Sequence, residues 1–511
     1  SKLNGIMQSY TLDSLDSASN MRDIISLALP LPSAEVLEAE RAEPGAAPTE
    51  SLTQMFDLVI MNPPFTRNDI RNRQYDSGDR RPLQEREIEI ASFLAGPDAF
   101  ASQAIDQTSV RTFFSPLADA LLKKDGFATL AEVVPTTALT AASGIDERRF
   151  LAERLQIETI VTSHDPRRVS FSENTTIHES LLVARRPGKE RIETRFISLA
   201  RMPQDAHEAI LLSDLINRRA DLGVWGTEYA WPWHRVRAGD WSAAQFYDAA
   251  LAEAMHDMES LAGTRLAAAE SLCWIEPSGR RIRDAFLHPP KRGRMPGQAA
   301  HSPRTPRQPP QGVDWSAPIL WDHPTDQQVS MEATADVLGV PRRGKQGYAR
   351  EVLASKASRL LLANRLRTNT VRVSACYADR PLLGSAWVPV RPVVANPTLE
   401  RALCVWWNST PGILTLLHCR AKALDYPRYA LASLRSLLVP DPQLTDIQPL
   451  ADAFAETRQT PLLAWPQMNE CPARARIDSA AAHALRMDGR QVADWRRRIA
   501  VEPTVSGRAA K

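Results

Sequence analysis

The chain has 511 residues, 43% of them hydrophobic and 24% charged, with a formal net charge of +2. That length supports two or three domains with sizeable cores, and near-neutrality excludes a global field for nucleic acid, so any such binding must come from local patches. No apolar run approaches the ~18 residues of a membrane span, and the start shows no signal-peptide pattern.

Five cysteines, Cys273, Cys376, Cys404, Cys419 and Cys471, are scattered without a C-x-x-C pair. They argue against both a zinc site and a disulfide framework, which fits a reducing cytoplasm. Residues 5–10 read as a short strand followed by Thr11-Leu12-Asp13-Ser14, where Asp13 is a turn or N-cap residue by local chemistry. Residues 31–54, with Pro44-Gly45-Ala46-Ala47-Pro48, read as a surface helix and a flexible insert. Phe56-Asp57-Leu58-Val59-Ile60-Met61 then reads as a strand buried on both faces, as in a parallel sheet.

Asn62-Pro63-Pro64-Phe65 stops that strand, because consecutive prolines cannot donate ladder hydrogen bonds. A turn at the carboxyl end of a strand is where open α/β sheets bind ligands. The Asn62 side-chain oxygen and the Pro63 carbonyl can each accept one hydrogen of an exocyclic NH2 group. Phe65 offers a stacking face, a contact worth roughly 1–3 kcal/mol per base. Two acceptors on one amine draw it toward tetrahedral geometry and free its lone pair.

The polar stretch 66–100 carries Arg67, Arg71, Arg73, Arg80 and Arg81; it is either a phosphate-contacting loop or a solvated one. Phe114, Leu117, Ala118 and Leu121 fall on one helical face, with Lys123 and Lys124 suited to the helix C-terminus and Gly126 ending it. Strands follow over 127–135, 157–163 and 179–185, with a helix over 149–155. This alternation predicts a doubly wound sheet across 56–186. Phe171 precedes one strand, and His164 and His178, without companions at ligand spacing, read as structural.

These motifs resemble the amino-methyltransferases, in particular the adenine-specific DNA methyltransferases of restriction-modification and phage-defence systems. The Asn-Pro-Pro-Phe stretch, the Lys123-to-Pro135 segment and the Phe171-to-Val183 segment carry the likeness over 56–186. The resemblance implies a Rossmann-like class I α/β methyltransferase fold and S-adenosyl-L-methionine as cofactor, with Asp13 bonding its adenine amino group. It implies Asn62, Pro63, Pro64 and Phe65 as the catalytic motif on a flipped adenine. On this resemblance Phe171 would pack on that base, although its local setting suits a core Phe entering a strand nearly as well, and Arg67 would contact DNA. No Gly-rich cofactor turn of the family's kind occurs, so the sheet is expected to be N-terminally incomplete, the chain being truncated, split with an upstream subunit, or degenerate. No metal ligand set is expected.

The expected organisation is a catalytic domain over 1–200, a helical connection over 201–287 and a basic Pro-rich linker over 288–312. An α+β target-recognition-like domain over 313–440 and a helical tail over 441–511 follow. Ile192 to Leu199 is expected as an edge strand, Asp240 to Leu261 as a helix, and Trp225, Trp231, Trp233 and Trp241 as caps of a small core. Over 350–440, Trp406-Trp407-Asn408-Ser409-Thr410 and the leucine-rich Val-Pro segment Leu434-Arg435-Ser436-Leu437-Leu438-Val439-Pro440 resemble the family's recognition domain. Arg365, Arg367, Arg372 and Arg420 are its available arginines for phosphate or guanine. The implied partners are double-stranded DNA and restriction or defence-system subunits. The alternatives are a non-catalytic DNA-recognition subunit, or an amino-methyltransferase acting on RNA or protein glutamine.

Overall fold

The computed structural model describes residues 56–63, 112, 114–168, 170–171, 177–188, 192–276, 279–287, 316–321, 325–420 and 429–508. Strands β1 (Leu58–Met61), β2 (Thr129–Pro135), β3 (Gln156–Ser163), β4 (Glu179–Arg185), β5 (Thr194–Leu199) and β6 (Gly226–Trp231) form one sheet in the order β1-β2-β4-β3-β5-β6. β1 runs parallel to β2, and β3 to β5, while β6 is antiparallel to β5. β4 opposes β2, because Thr136 N donates to His178 O at one end and Arg186 N to Ala128 O at the other. The sheet is therefore mixed, and the expected doubly wound pattern holds in part. Helices α1 (Phe114–Leu121) and α2 (Ile145–Arg154) precede β2 and β3 as expected. The connection from β4 to β5, residues 186–193, is too brief for a parallel crossover, which needs a dozen or more residues. β5 lies between β3 and β6 and is not the expected edge strand.

The chain divides into two compact units, one of Ser1–Val133, Arg149–Glu158 and Leu182–Ile192, the other of Val134–Arg148, Thr159–Leu181 and Glu193–Lys511. In the first, α1 buries Phe114, Leu117, Ala118 and Leu121, as their spacing predicts. Its end is held differently from expectation. The Arg186 guanidinium pairs with the Asp119 carboxylate and donates to the carbonyls of Asp119 (2.7 Å), Leu122 (3.0 Å) and Lys123 (2.8 Å). A planar fork reaches several acceptors at once, which an ammonium does less well. Lys123 turns instead to Asp57, its Nζ lying 2.7 and 2.8 Å from the two carboxylate oxygens. β1 is not buried on both faces. Val59 is buried, but Leu58 is 53% and Ile60 71% exposed, so one face of this strand, the last of the sheet among the described residues, is open.

In the second unit, Val161, Ile197, Leu199, Met202, Leu212, Leu222 and Trp225 form one core cluster, joined by α3 (Ala206–Arg218). Trp231 and Trp241 are fully buried, and Trp231 meets Phe196 edge-on at 6.3 Å, so most of the expected tryptophan group is core. The helix expected from Asp240 starts later, as α4 (Ala249–Ser260), because Asp248 caps it by accepting from Ala250 N at 2.9 Å.

A second sheet combines β8 (Cys273–Ile275), β9 (Ala317–Leu320), β10 (Val337–Gly339), β11 (Ser358–Ala363), β12 (Ala375–Gly384) and β13 (Trp387–Pro392) in the order β10-β9-β12-β11-β13-β8. β7 (Leu266–Ala268) pairs with β14 (Leu438–Pro440). Strands from the expected connection at 201–287 thus complete sheets of the expected 313–440 domain. Helices α5 (Pro397–Asn408), α6 (Thr410–Cys419), α7 (Gln448–Thr457), α8 (Pro472–Leu485) and α9 (Gly489–Val501) pack together in the same unit.

Trp406 to Thr410 is the hub of this packing. Both tryptophans are fully buried, and the Asn408 amide donates to Ala375 O (2.7 Å) and Cys404 O (2.8 Å) while accepting from Ser374 N (2.9 Å). Thr410 donates through its amide and hydroxyl to the Asp478 carboxylate at 2.6 and 2.7 Å. Buried polar groups satisfied in this way rigidify a core. All five cysteines are free thiols. Among the described residues no helix is long and apolar enough to cross a membrane.

Candidate active site

β1 is mounted by main-chain bonds before it reaches the motif. Phe56 N donates to Leu121 O (3.1 Å), Lys123 N to Phe56 O (2.9 Å) and Thr129 N to Asp57 O (2.8 Å). The Asp57 carboxylate also raises the Lys123 pKa through its hydrogen bond, keeping the ammonium charged. From this anchor the strand runs in register with β2, Val59 beside Leu130 and Met61 beside Glu132. Asn62 follows, exposed, and Pro63 is buried. The strand therefore ends on an amide that solvent and ligand can reach, backed by a packed proline.

Of the expected site residues, Asn62, Pro63 and Phe171 are described; Asp13, Pro64, Phe65 and Arg67 lie outside the described residues, as do the 66–100 loop and the 288–312 linker. Phe171 is half-buried against the Val161 cluster, and its amide donates to Glu179 Oε2 at 2.8 Å. Sequence reasoning passed over Glu132, a fully buried carboxylate in register with the last residue of β1. Its signal was a lone acid inside the apolar run Thr129–Pro135, on the face shared by Leu130 and Val134.

The residue after β2 opens a buried polar chain in the second unit. Thr136 Oγ1 lies 2.6 Å from His178 Nδ1 and 2.7 Å from Ser180 Oγ, which is 3.1 Å from Thr162 Oγ1. His178, read as structural from its spacing, is buried at the head of this chain. His164, also fully buried, sits 3.5 Å from Glu502 and edge-on to Tyr247. Of the arginines expected to be available for DNA, Arg365 is exposed, and Arg367 and Arg372 are half-buried. Arg420 is corrected: it is buried and donates to Thr504 Oγ1 at 2.6 Å, and burial lowers its pKa.

No protein-family model matches this sequence, and no curated protein matches it. Solved structures give looser likenesses. The type IIG restriction endonuclease BpuSI matches at 12% identity and a TM-score of 0.32, over 87% of this chain and 54% of that one. A type I restriction-modification methyltransferase subunit from Streptococcus thermophilus matches at 18% identity and 0.27, over 38% of each chain. A further type I restriction-modification structure matches at 17% and 0.25, over 36% of each. The chain spans about half of the first and little more than a third of the others.

Proposed function

We propose that this chain is the catalytic and specificity portion of an S-adenosylmethionine-dependent DNA methyltransferase acting on the exocyclic N6 of adenine. The observation that carries this is the mounting of Asn62: an exposed amide at the carboxyl end of a strand fixed at its other end by three main-chain bonds. An adenine flipped from the duplex presents its NH2 group to the Asn62 side-chain oxygen and the Pro63 carbonyl, which accept one hydrogen each. Phe65 and Phe171 are the proposed contacts to its ring faces, and Pro64 sets the turn. Holding the amine in line supplies most of the acceleration. S-adenosylmethionine, when bound, supplies a sulfonium methyl, and Asp13 is its proposed ligand here. Double-stranded DNA is the proposed partner, contacted by Arg67, with Arg365 and its neighbours in the second unit reading sequence, and defence-system subunits complete the assembly.

Asn62→Ala should abolish methyl transfer and leave DNA affinity within about twofold, because the amide acts on the amine and not on phosphates. Tritium transfer from labelled cofactor to duplex DNA, beside a mobility-shift titration, measures both. Near-normal turnover in the variant would sink the assignment.

A further inference from the structure

In the second unit, four side chains with metal-ligating atoms converge at a place the proposed chemistry does not use. His256 and Glu259 stand three residues apart on α4 and so share a face. Asp240 precedes the turn Ser242–Gln245, and His418 lies in the last turn of α6. One ligand atom each from Asp240, His256 and Glu259 lie within 4.8 Å of one another, and His418 Nε2 is 3.6 Å from Glu259 Oε1.

Among the described residues no lysine or arginine forms an ion pair with Asp240 or Glu259. The arginines whose charge reaches the cluster, Arg235 and Arg148, are engaged elsewhere. Arg235 bonds Glu253 at 3.0 Å and lies over the Trp231 ring at 4.6 Å. Arg148 donates to the carbonyls of Gly239, Ala138 and Ala141, each at 2.8 Å. Asp240 Oδ1 is itself oriented by the amide (3.1 Å) and hydroxyl (2.5 Å) of Ser242, an arrangement typical of the outer shell that fixes a ligating carboxylate.

We propose that Asp240, His256, Glu259 and His418 bind one divalent first-row transition metal of the zinc class, which ties α4, α6 and the Asp240 turn together. Two imidazoles and two carboxylates suit zinc in a closed four-coordinate site, whereas calcium takes six or more oxygens. The charges of the two carboxylates balance a dication. Ligand atoms around zinc at ~2.0–2.2 Å sit roughly 3.5 Å apart; the Asp240, His256 and Glu259 atoms, within 4.8 Å of one another, close to that spacing by a movement of about 1 Å, and His418 joins them from beside Glu259. Sequence spacing conceals the site, because residues 240, 256, 259 and 418 meet only through the packing of α4 on α6.

The test uses the full chain stripped with chelator and titrated with Zn2+ by calorimetry. One zinc per chain is expected, with His256→Ala and Glu259→Gln each weakening binding at least tenfold. His207→Ala, at an exposed histidine on α3, should change nothing. A readout on the unmutated chain guards against variants that fail to fold: zinc should protect His256 and His418, but not His207, from diethylpyrocarbonate. The Co2+ form should show four-coordinate visible absorption. No saturable binding, equal effects of His256→Ala and His207→Ala, or modification of His256 and His418 unchanged by zinc would each overturn the site. None of these readouts depends on methyl transfer.

Discussion

Arg186→Ala tests how the strand that carries Asn62 is held. The side chain is 10% exposed and its partner Asp119 23%. Its loss strips the Asp119 carboxylate and the carbonyls of Asp119, Leu122 and Lys123 of their donor. At ~1.5–3 kcal/mol for each hydrogen bond to a charged group, simple addition overshoots, since water re-enters to the carbonyls. Breaking a buried ion pair by removing one partner costs about 3–5 kcal/mol, and the remaining hydration of Asp119 places this case near ~3 kcal/mol. That is roughly a hundredfold increase in local opening. Because the chain has two units, a single global unfolding energy is ill defined. Hydrogen exchange of the segment 114–130 is the suitable assay, read at Leu122 N on Ala118 O and Lys123 N on Phe56 O. Arg186→Lys should fall between, keeping charge but losing the fork. Exchange accelerated less than threefold in a folded Arg186→Ala chain would refute the reasoning.

Two further predictions concern the second unit. Gly226 has φ +155°, and a Cβ there would lie 2.0 Å from Ser198 O, so Gly226→Ala should cost ~3 kcal/mol by wedging β5 from β6, seen as faster hydrogen exchange of the β5–β6 amides. Burial and the charge of Asp240 push the Glu259 carboxyl up to about 7 from 4.5. In metal-free protein the folded state therefore holds a proton that the unfolded state releases, and stability falls as pH rises from 4.5 to about 7. With 40% of the side chain in water the effect is discounted to about 1 kcal/mol. Glu259→Gln should thus gain thermal stability relative to the unmutated chain at pH 8 and not at pH 4.5, and an equal shift at both would contradict this.

Where one face of an element decides its burial, the sequence was informative. The spacing of Phe114, Leu117, Ala118 and Leu121 located α1, and Pro135 marked the end of β2. Trp406 to Thr410, distinctive as a motif, became the core hub through contacts with Ala375, Ser374 and Asp478 that lie far off in sequence. No local pattern carried those contacts, nor the capture of the α1 end by Arg186, sixty-odd residues on. The mixed strand order escaped for a related reason: alternation of strands and helices constrains direction only when every connection is long enough to cross over. Likewise Arg420 looked as available as Arg365 until burial separated them.

The proposed chemistry depends on side-chain alternation along β1 as much as on the identity of Asn62. Val59 and Met61 share the face of Leu130 and Glu132, while Leu58 and Ile60 stand on the open one. Carrying that alternation forward puts Asn62 with Leu58 and Ile60, exposed, and Pro63 with Val59, buried. A slip of one residue in the pairing of β1 with β2 would reverse every assignment, burying the amide and exposing Val59. The bonds from Phe56 to Leu121 and Lys123, and from Thr129 to Asp57, oppose that slip. What presents the amide to a substrate is thus fixed several residues upstream of it, where a search for catalytic side chains would not look.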